Sequence, residues 1–132
     1  MSPQKSKEFD GRLTSTELEL MNILWQIQEG SVGDVIAKLP QHRDLAYTSV
    51  STILRILQQK SVLKTRKEGR GHIYIPLITK ASYESRTIKD VVDRVFQGTP
   101  VDLVKQLLNS VEIKPNEIDE IRKLLENRNG KK

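Results

Sequence analysis

Apolar positions recur along the chain at two spacings, and the change of spacing divides it into elements. In LTSTELELMNILWQIQEGS, beginning at Leu13, the residues Leu18, Leu20, Met21, Ile23, Leu24, Trp25 and Ile27 cover most of a helix circumference. Only Glu19, Asn22 and Gln26 form a polar stripe, so this helix is expected to be buried on two sides. Thr14 and Glu17 have the spacing of a capping box, and Gly30 is the expected stop. SVGDVIAKLP predicts a short second helix, with Ser31 and Asp34 at N-cap and N3, Val35, Ile36 and Leu39 apolar, and Pro40 closing it. After the turn QHRDLA a third helix is predicted from about Thr48 to Lys60, with Thr48 as its N-cap. Val50, Ile53, Leu54 and Leu57 fall on one side of it; Thr48, Ser51, Thr52 and Arg55 fall on the other.

Beyond this helix the period drops from helical to alternating. SVLKTRKEGRGHIYIPL predicts two strands joined by a turn at Glu68-Gly69-Arg70-Gly71. Val62, Lys64 and Arg66 alternate with Leu63, Thr65 and Lys67; Ile73 and Ile75 share one face of the return strand, and His72 and Tyr74 the other. Three helices followed by a two-stranded ribbon is the order of a winged helix-turn-helix, with the hairpin as wing. From Thr79 the pattern is again helical: Ile88, Val91, Val92, Val95 and Phe96 mark one helix. Thr99 as N-cap with Pro100 at the first position opens a second, and Val101, Val104, Leu107, Leu108 and Val111 form its apolar face. A third follows Pro115, with Ile118, Ile121, Leu124 and Leu125 as its stripe. The expected class is mainly α with a small β-hairpin wing: a flexible N-terminus over 1–11, a winged-helix domain over 12–78, a helical dimerisation domain over 79–128 and a flexible tail over 129–132.

Charge changes the picture in the middle of the chain. The overall balance is +5, but residues 41–80 hold eight basic side chains against two acidic ones, while residues 1–40 hold four basic against six acidic. A clustered basic excess suggests a polyanion, or else a solvated face that keeps the protein soluble. The third helix falls inside this segment, and its outer face carries hydroxyls and an arginine but no acid. Short hydroxyl side chains permit close approach to base edges, and arginine makes a two-pronged contact with guanine. Thr48, Ser49, Ser51, Thr52 and Arg55 are therefore candidates for a DNA major groove. Lys64, Arg66, Lys67 and Arg70 on the hairpin, with Thr14, Tyr47 and His72, are candidates for the DNA backbone, where contacts position the protein. The bland alternatives are a helix face that packs or faces water, and a hairpin guarded by charge against edge pairing.

Three strings, LTSTELELMNILW (13–25), AYTSVSTILRIL (46–57) and KTRKEGRGHIYIPL (64–77), together resemble the penicillinase-repressor family, the BlaI/MecI type of bacterial transcriptional regulator. The resemblance extends over roughly residues 12 to 128 and includes the helical C-terminal segment. It implies a repressor that binds double-stranded operator DNA, near-palindromic in sequence, as a homodimer held by the C-terminal helices. In the best-known systems a membrane sensor detects β-lactam and the repressor is cut in its dimerisation domain, so a sensor or protease that relieves repression is an implied partner. Members with that switch carry an Asn-Phe pair where this chain aligns Gln106-Leu107, which leaves control by cleavage open. Copper-responsive relatives carry a C-terminal cysteine motif, and this chain has no cysteine. The family often has glycine after the recognition helix, where this chain has Ser61, and a basic residue where it has Ile56.

The C-terminal apolar faces agree independently. They exceed what one small winged-helix domain can cover, and a separate unit of about 50 residues is marginal as a monomer. Pairing with a second copy covers Ile88, Val91, Val92, Val95, Phe96, Val104, Leu107, Leu108, Ile118, Ile121, Leu124 and Leu125, and a two-fold dimer would match a two-fold operator. The alternative is that these helices fold back on their own domain.

An enzyme finds no support: His42 and His72 lack partners at metal-ligand spacing, Gly69 and Gly71 fit a hairpin turn, and Asp90/Asp93 and Asp119/Glu120 read as solvated helix faces. No cofactor and no metal is expected. With few aromatic residues, RNA stacking platforms are not visible, and a winged helix that binds protein is the remaining alternative, alongside one that binds DNA without sequence preference. No apolar run approaches the roughly 18–20 residues of a membrane span, no signal peptide is legible, and a cytoplasmic setting is expected.

Overall fold

The computed structural model describes residues 11–129; the expectations for 1–10 and 130–132 lie outside the described residues. Eight elements follow in order: α1 (Ser15–Ile27), α2 (Val32–Ala37), α3 (Tyr47–Gln59), β1 (Leu63–Glu68), β2 (Gly71–Pro76), α4 (Lys80–Arg94), α5 (Pro100–Ser110) and α6 (Pro115–Asn129). They divide into two compact units, the first running through Thr87 and the second from Ile88.

In the first unit α1 is the central element. Its capping box forms as the spacing requires: the Thr14 hydroxyl accepts from the Glu17 N–H, and the Glu17 carboxylate accepts from the Thr14 N–H. Leu20, Met21, Ile23 and Leu24 are buried against Val32 and Val35 of α2, Val50, Leu54 and Leu57 of α3, and Val62 and Leu63 at the start of the hairpin. Burying such side chains supplies roughly 1.5–3 kcal/mol each, which is what holds a domain this small together. α2 is opened by its own capping box between Ser31 and Asp34.

The chain leaves α3 through a Schellman turn. The Ser61 N–H bonds the Gln58 carbonyl and the Val62 N–H the Leu57 carbonyl, with Val62 and Leu57 both buried. This geometry places Ser61 at a positive φ of 67°, the region that glycine occupies at no steric cost. β1 and β2 then pair antiparallel from Leu63↔Pro76 to Glu68↔Gly71.

Some expectations are corrected here, and others are completed by the packing. Gly30 does not end α1. The helix stops at Ile27, with Gln28 as C-cap at positive φ, and Gly30 instead forms a third, one-residue strand that exchanges both backbone bonds with Tyr74. A Cβ at Gly30 would stand 2.8 Å from Ile27 Cδ1 and 3.0 Å from Asp34 Cβ, so the close approach suits glycine. Thr48 is not the N-cap of α3; the helix begins earlier, at Tyr47, after Ala46, with no side-chain cap. Thr99 is the N-cap of α5, but its hydroxyl makes no capping bond. On β2 the side turned to the core is that of Tyr74, while Ile73 and Ile75 are half-buried on the other. α6 runs through Asn129, where the free tail was expected to begin.

The first unit also extends past residue 78, because α4 is anchored to it. Tyr83 is buried, its hydroxyl accepts from the Leu13 N–H, and its ring lies 6.0 Å from that of Trp25. The Trp25 indole N–H donates to the Ile78 carbonyl at 2.9 Å. Trp25 thus joins the core edge as expected, and it fixes the entry to α4.

In the second unit no residue of α5 or α6 is buried. Val91, Val92, Phe96, Ile118 and Ile121 are half-buried; Ile88, Val95, Val104, Leu107, Leu108, Leu124 and Leu125 are exposed, Val95 at 66% and Leu124 at 64%.

An ion pair between buried Glu17 and the exposed Lys60 ties α1 to the end of α3. Glu17 is 6% exposed, and the Lys60 ammonium lies 2.7 Å from its carboxylate. Burial pushes the Glu17 carboxyl up, but the Lys60 ammonium and the Thr14 N–H and hydroxyl outweigh it, and its pKa lies below the ordinary value. The pair therefore contributes stability above the ordinary carboxylate pKa, and that contribution is lost as pH falls through the folded value. Glu17→Gln is expected to lower unfolding stability by about 1–2 kcal/mol near neutral pH, with the difference from the parent closing below about pH 4 in urea titrations. Ser61→Gly removes the positive-φ strain of a side chain and is expected to stabilise the protein by about 0.5–1 kcal/mol, read from the urea midpoint.

Candidate nucleic-acid interface

α3 presents its polar face outward because its apolar face is spent. Val50, Leu54 and Leu57 are fully buried, which turns Thr48, Thr52 and Arg55 to the outside, with Ser49 exposed on one flank and Ser51 half-buried on the other. Gln59 follows Arg55 by one turn, is also exposed, and extends the same face. The residues expected from sequence end at Arg55; the i, i+4 spacing from Arg55 and i, i+7 from Thr52 are the signal that includes Gln59. Tyr47, 61% exposed, opens the helix.

The start of α3 differs from those of α1 and α2. Those two helices have capping boxes and an acid in the first turn; α3 has neither. The Ser49 and Val50 N–H groups bond the Ala46 carbonyl, and no side chain caps the N–H groups before them, so the helix end retains its affinity for an anion.

The hairpin stands beside this face. Lys64, Lys67, Arg70 and His72 are exposed. Among the described residues, Lys64, Lys67, Arg70 and Arg55 take part in no ion pair. Arg66 differs. Its guanidinium lies 3.0 Å from Glu29, with a second bond at 3.2 Å, and 3.1 Å from Glu68. Hydrogen bonds to Glu29 and Glu68 raise its pKa further above the ordinary arginine range, and Arg66 in turn lowers that of Glu29, so both stay charged. Thr14, expected at the backbone, is exposed, with its hydroxyl engaged as the cap of α1.

Two further basic residues of the middle segment are also engaged. Arg43 bonds both carboxylate oxygens of Glu19 at 2.9 and 3.0 Å, and Lys60 holds Glu17. Part of the acidic N-terminal segment and part of the basic middle segment thus neutralise each other, leaving Arg55, Lys64, Lys67, Arg70 and Lys80 outside these pairs among the described residues.

In the second unit Gln106 and Leu107 lie in α5, both exposed. Leu107, Val111, Ile113, Ile121 and Leu124, with Glu112, Glu117 and Glu120, line an open cleft of about 320 Å³ between α5 and α6. Among the described residues no helix is long and apolar enough to cross a membrane.

Comparison with known proteins agrees with this arrangement. The family model described as penicillinase repressor matches residues 13–127. The chain is similar to the methicillin resistance regulatory protein MecI of Mammaliicoccus sciuri, with 25% identity over 113 residues covering 86% of this chain and 92% of that protein. It is similar to the penicillinase repressor of Bacillus licheniformis, with 26% identity over 121 residues covering 92% of this chain and 94% of the relative. Among solved structures, that of the DNA binding domain of the repressor BlaI superposes with a TM-score of 0.51 and 28% identity, covering 58% of this chain and 93% of the other. With α1 to α5, the hairpin and all but the last two residues of α6 inside the matched span, the chain belongs to the penicillinase repressor family.

Proposed function

We infer that this protein is a sequence-specific DNA-binding transcriptional repressor, acting in the cytoplasm as a homodimer on a near-palindromic operator. The observation that carries the reading is the outward face of α3: hydroxyls and an arginine, no acid, and a start without a side-chain cap, together with Lys64, Lys67 and Arg70 of the wing, which take part in no ion pair among the described residues. A major groove admits such a helix, and the phosphates that flank it match the rest. Thr48, Ser49, Ser51, Thr52 and Arg55 touch base edges or the phosphates next to them, and Gln59 lies on the same line. Tyr47, Lys64, Lys67, Arg70 and His72 hold the backbone.

The homodimer rests on the second unit. Two helices with no buried residue do not form a stable body by themselves, and their exposed apolar faces suit a second copy of the same faces. Membership of a repressor family supports both parts of the reading.

Arg55→Ala is expected to reduce discrimination between the operator and a sequence altered at one base pair by roughly 1–3 kcal/mol, while Arg70→Ala weakens binding to all sequences and flattens the salt slope by up to about one. Fluorescence anisotropy across a salt series reads both, and retention of full sequence preference by Arg55→Ala removes that residue from base recognition. A fragment ending at Thr87, which keeps the Tyr83 anchor, is expected to sediment as a monomer while the full chain sediments as a dimer; a dimeric fragment would assign the interface elsewhere.

A further inference from the structure

The hairpin has an anchored half and an unanchored half. At its root Leu63 and Tyr74 are buried, the Gln58 amide reaches Thr65, and Tyr74 turns its N–H and C=O to Gly30. Beyond Thr65 and Tyr74 the strands leave the core: residues 66–72 are exposed and Ile73 is half-buried. Among the described residues, the side-chain hydrogen bonds that return from this outer half to the body are those from Arg66 to Glu29. The geometry is that of a strap. β1 pairs with β2, and β2 pairs with Gly30, so an arginine on β1 that grips Glu29 spans the whole small sheet.

We propose that Glu29 is a positioning residue for DNA binding: by holding Arg66 it fixes the angle of the outer wing, and with it the placement of Lys67 and Arg70 on the DNA backbone. The proposal rests on the DNA-binding reading above. An exposed ion pair contributes little to global stability, so the value of this one lies in orientation. Positioned contacts must be held to within a fraction of an ångström, and a two-stranded tip with no core of its own does not hold itself. Glu68, the other partner of Arg66, lies on the same hairpin and cannot tie it to the body. Simple electrostatics predicts the opposite sign: deleting an acid beside a DNA-binding surface should strengthen binding to phosphates.

Glu29→Gln in the full chain provides the test, with two readouts. In the free protein, amide hydrogen exchange at residues 66–73 is expected to quicken roughly three- to tenfold, while core amides of α1 and α3 and the thermal midpoint change little. On a promoter duplex the variant is expected to bind roughly three- to tenfold more weakly, with a salt slope unchanged or flatter. Glu29→Asp, which keeps the charge, should fall nearer the parent in both. Unchanged exchange in the wing overturns the strap. Tighter binding with a steeper slope overturns it as well, because Glu29 would then be competing with phosphate for Arg66. Failure of the parent itself to bind DNA would instead remove the DNA-binding reading, and wing exchange would still decide whether the strap exists.

Discussion

Helix α1 is the element to which every other part of the first unit is attached. Its apolar residues form the floor on which α2, α3 and the hairpin root pack. Its polar residues make the outer attachments: Glu17 to Lys60 after α3, Glu19 to Arg43 before α3, and the Trp25 indole to the Ile78 carbonyl at the entry to α4. Glu29, just past its end, reaches the wing. A helix whose apolar residues cover most of its circumference must be packed on more than one side, and that packing fixes where the hydroxyl face of α3 points. The recognition face is thus a consequence of what α3 buries, not of any interaction among the recognition residues.

The same ion pairs alter how the charge of the chain should be understood. By sequence the acidic residues cluster before residue 41 and the basic ones after it, which suggests a large free positive patch. In the fold, Arg43, Lys60 and Arg66 are matched by Glu19, Glu17 and Glu29. Among the described residues of the middle segment, the cations outside these pairs are Arg55 on the helix, Lys64, Lys67 and Arg70 on the wing, and Lys80 at the start of α4. Three of the eight basic side chains in the middle segment are thus internal glue between segments distant in sequence.

Local signals were legible where a single element determined them. The capping boxes of α1 and α2, the two faces of α3, the hairpin turn and the apolar stripes of the C-terminal helices all follow from spacing within one element. What escaped depended on contacts between elements. Gly30 carries a glycine's usual stop signal, yet its role is set by Tyr74, far along the chain. Alternation on β2 says which residues share a side but not which side turns inward, so the burial of Tyr74 rather than the isoleucines was not readable. Arg66 looks like its neighbours until Glu29 is beside it. The junction between units lies within α4 because Tyr83 meets Leu13 and Trp25, a contact no helical periodicity reveals. Ser61 is the reverse case: a family position that often holds glycine proves to need a positive φ.

The most direct test is the salt dependence of binding to a duplex from the protein's own promoter, set against a scrambled duplex. Two chains that each place Lys64, Lys67 and Arg70 on phosphates predict specific binding at two chains per duplex, with a slope of log K against log salt of roughly −4 to −7. Equal affinity for both duplexes, or a slope shallower than about −2, would contradict the assignment of α3 and the wing to DNA.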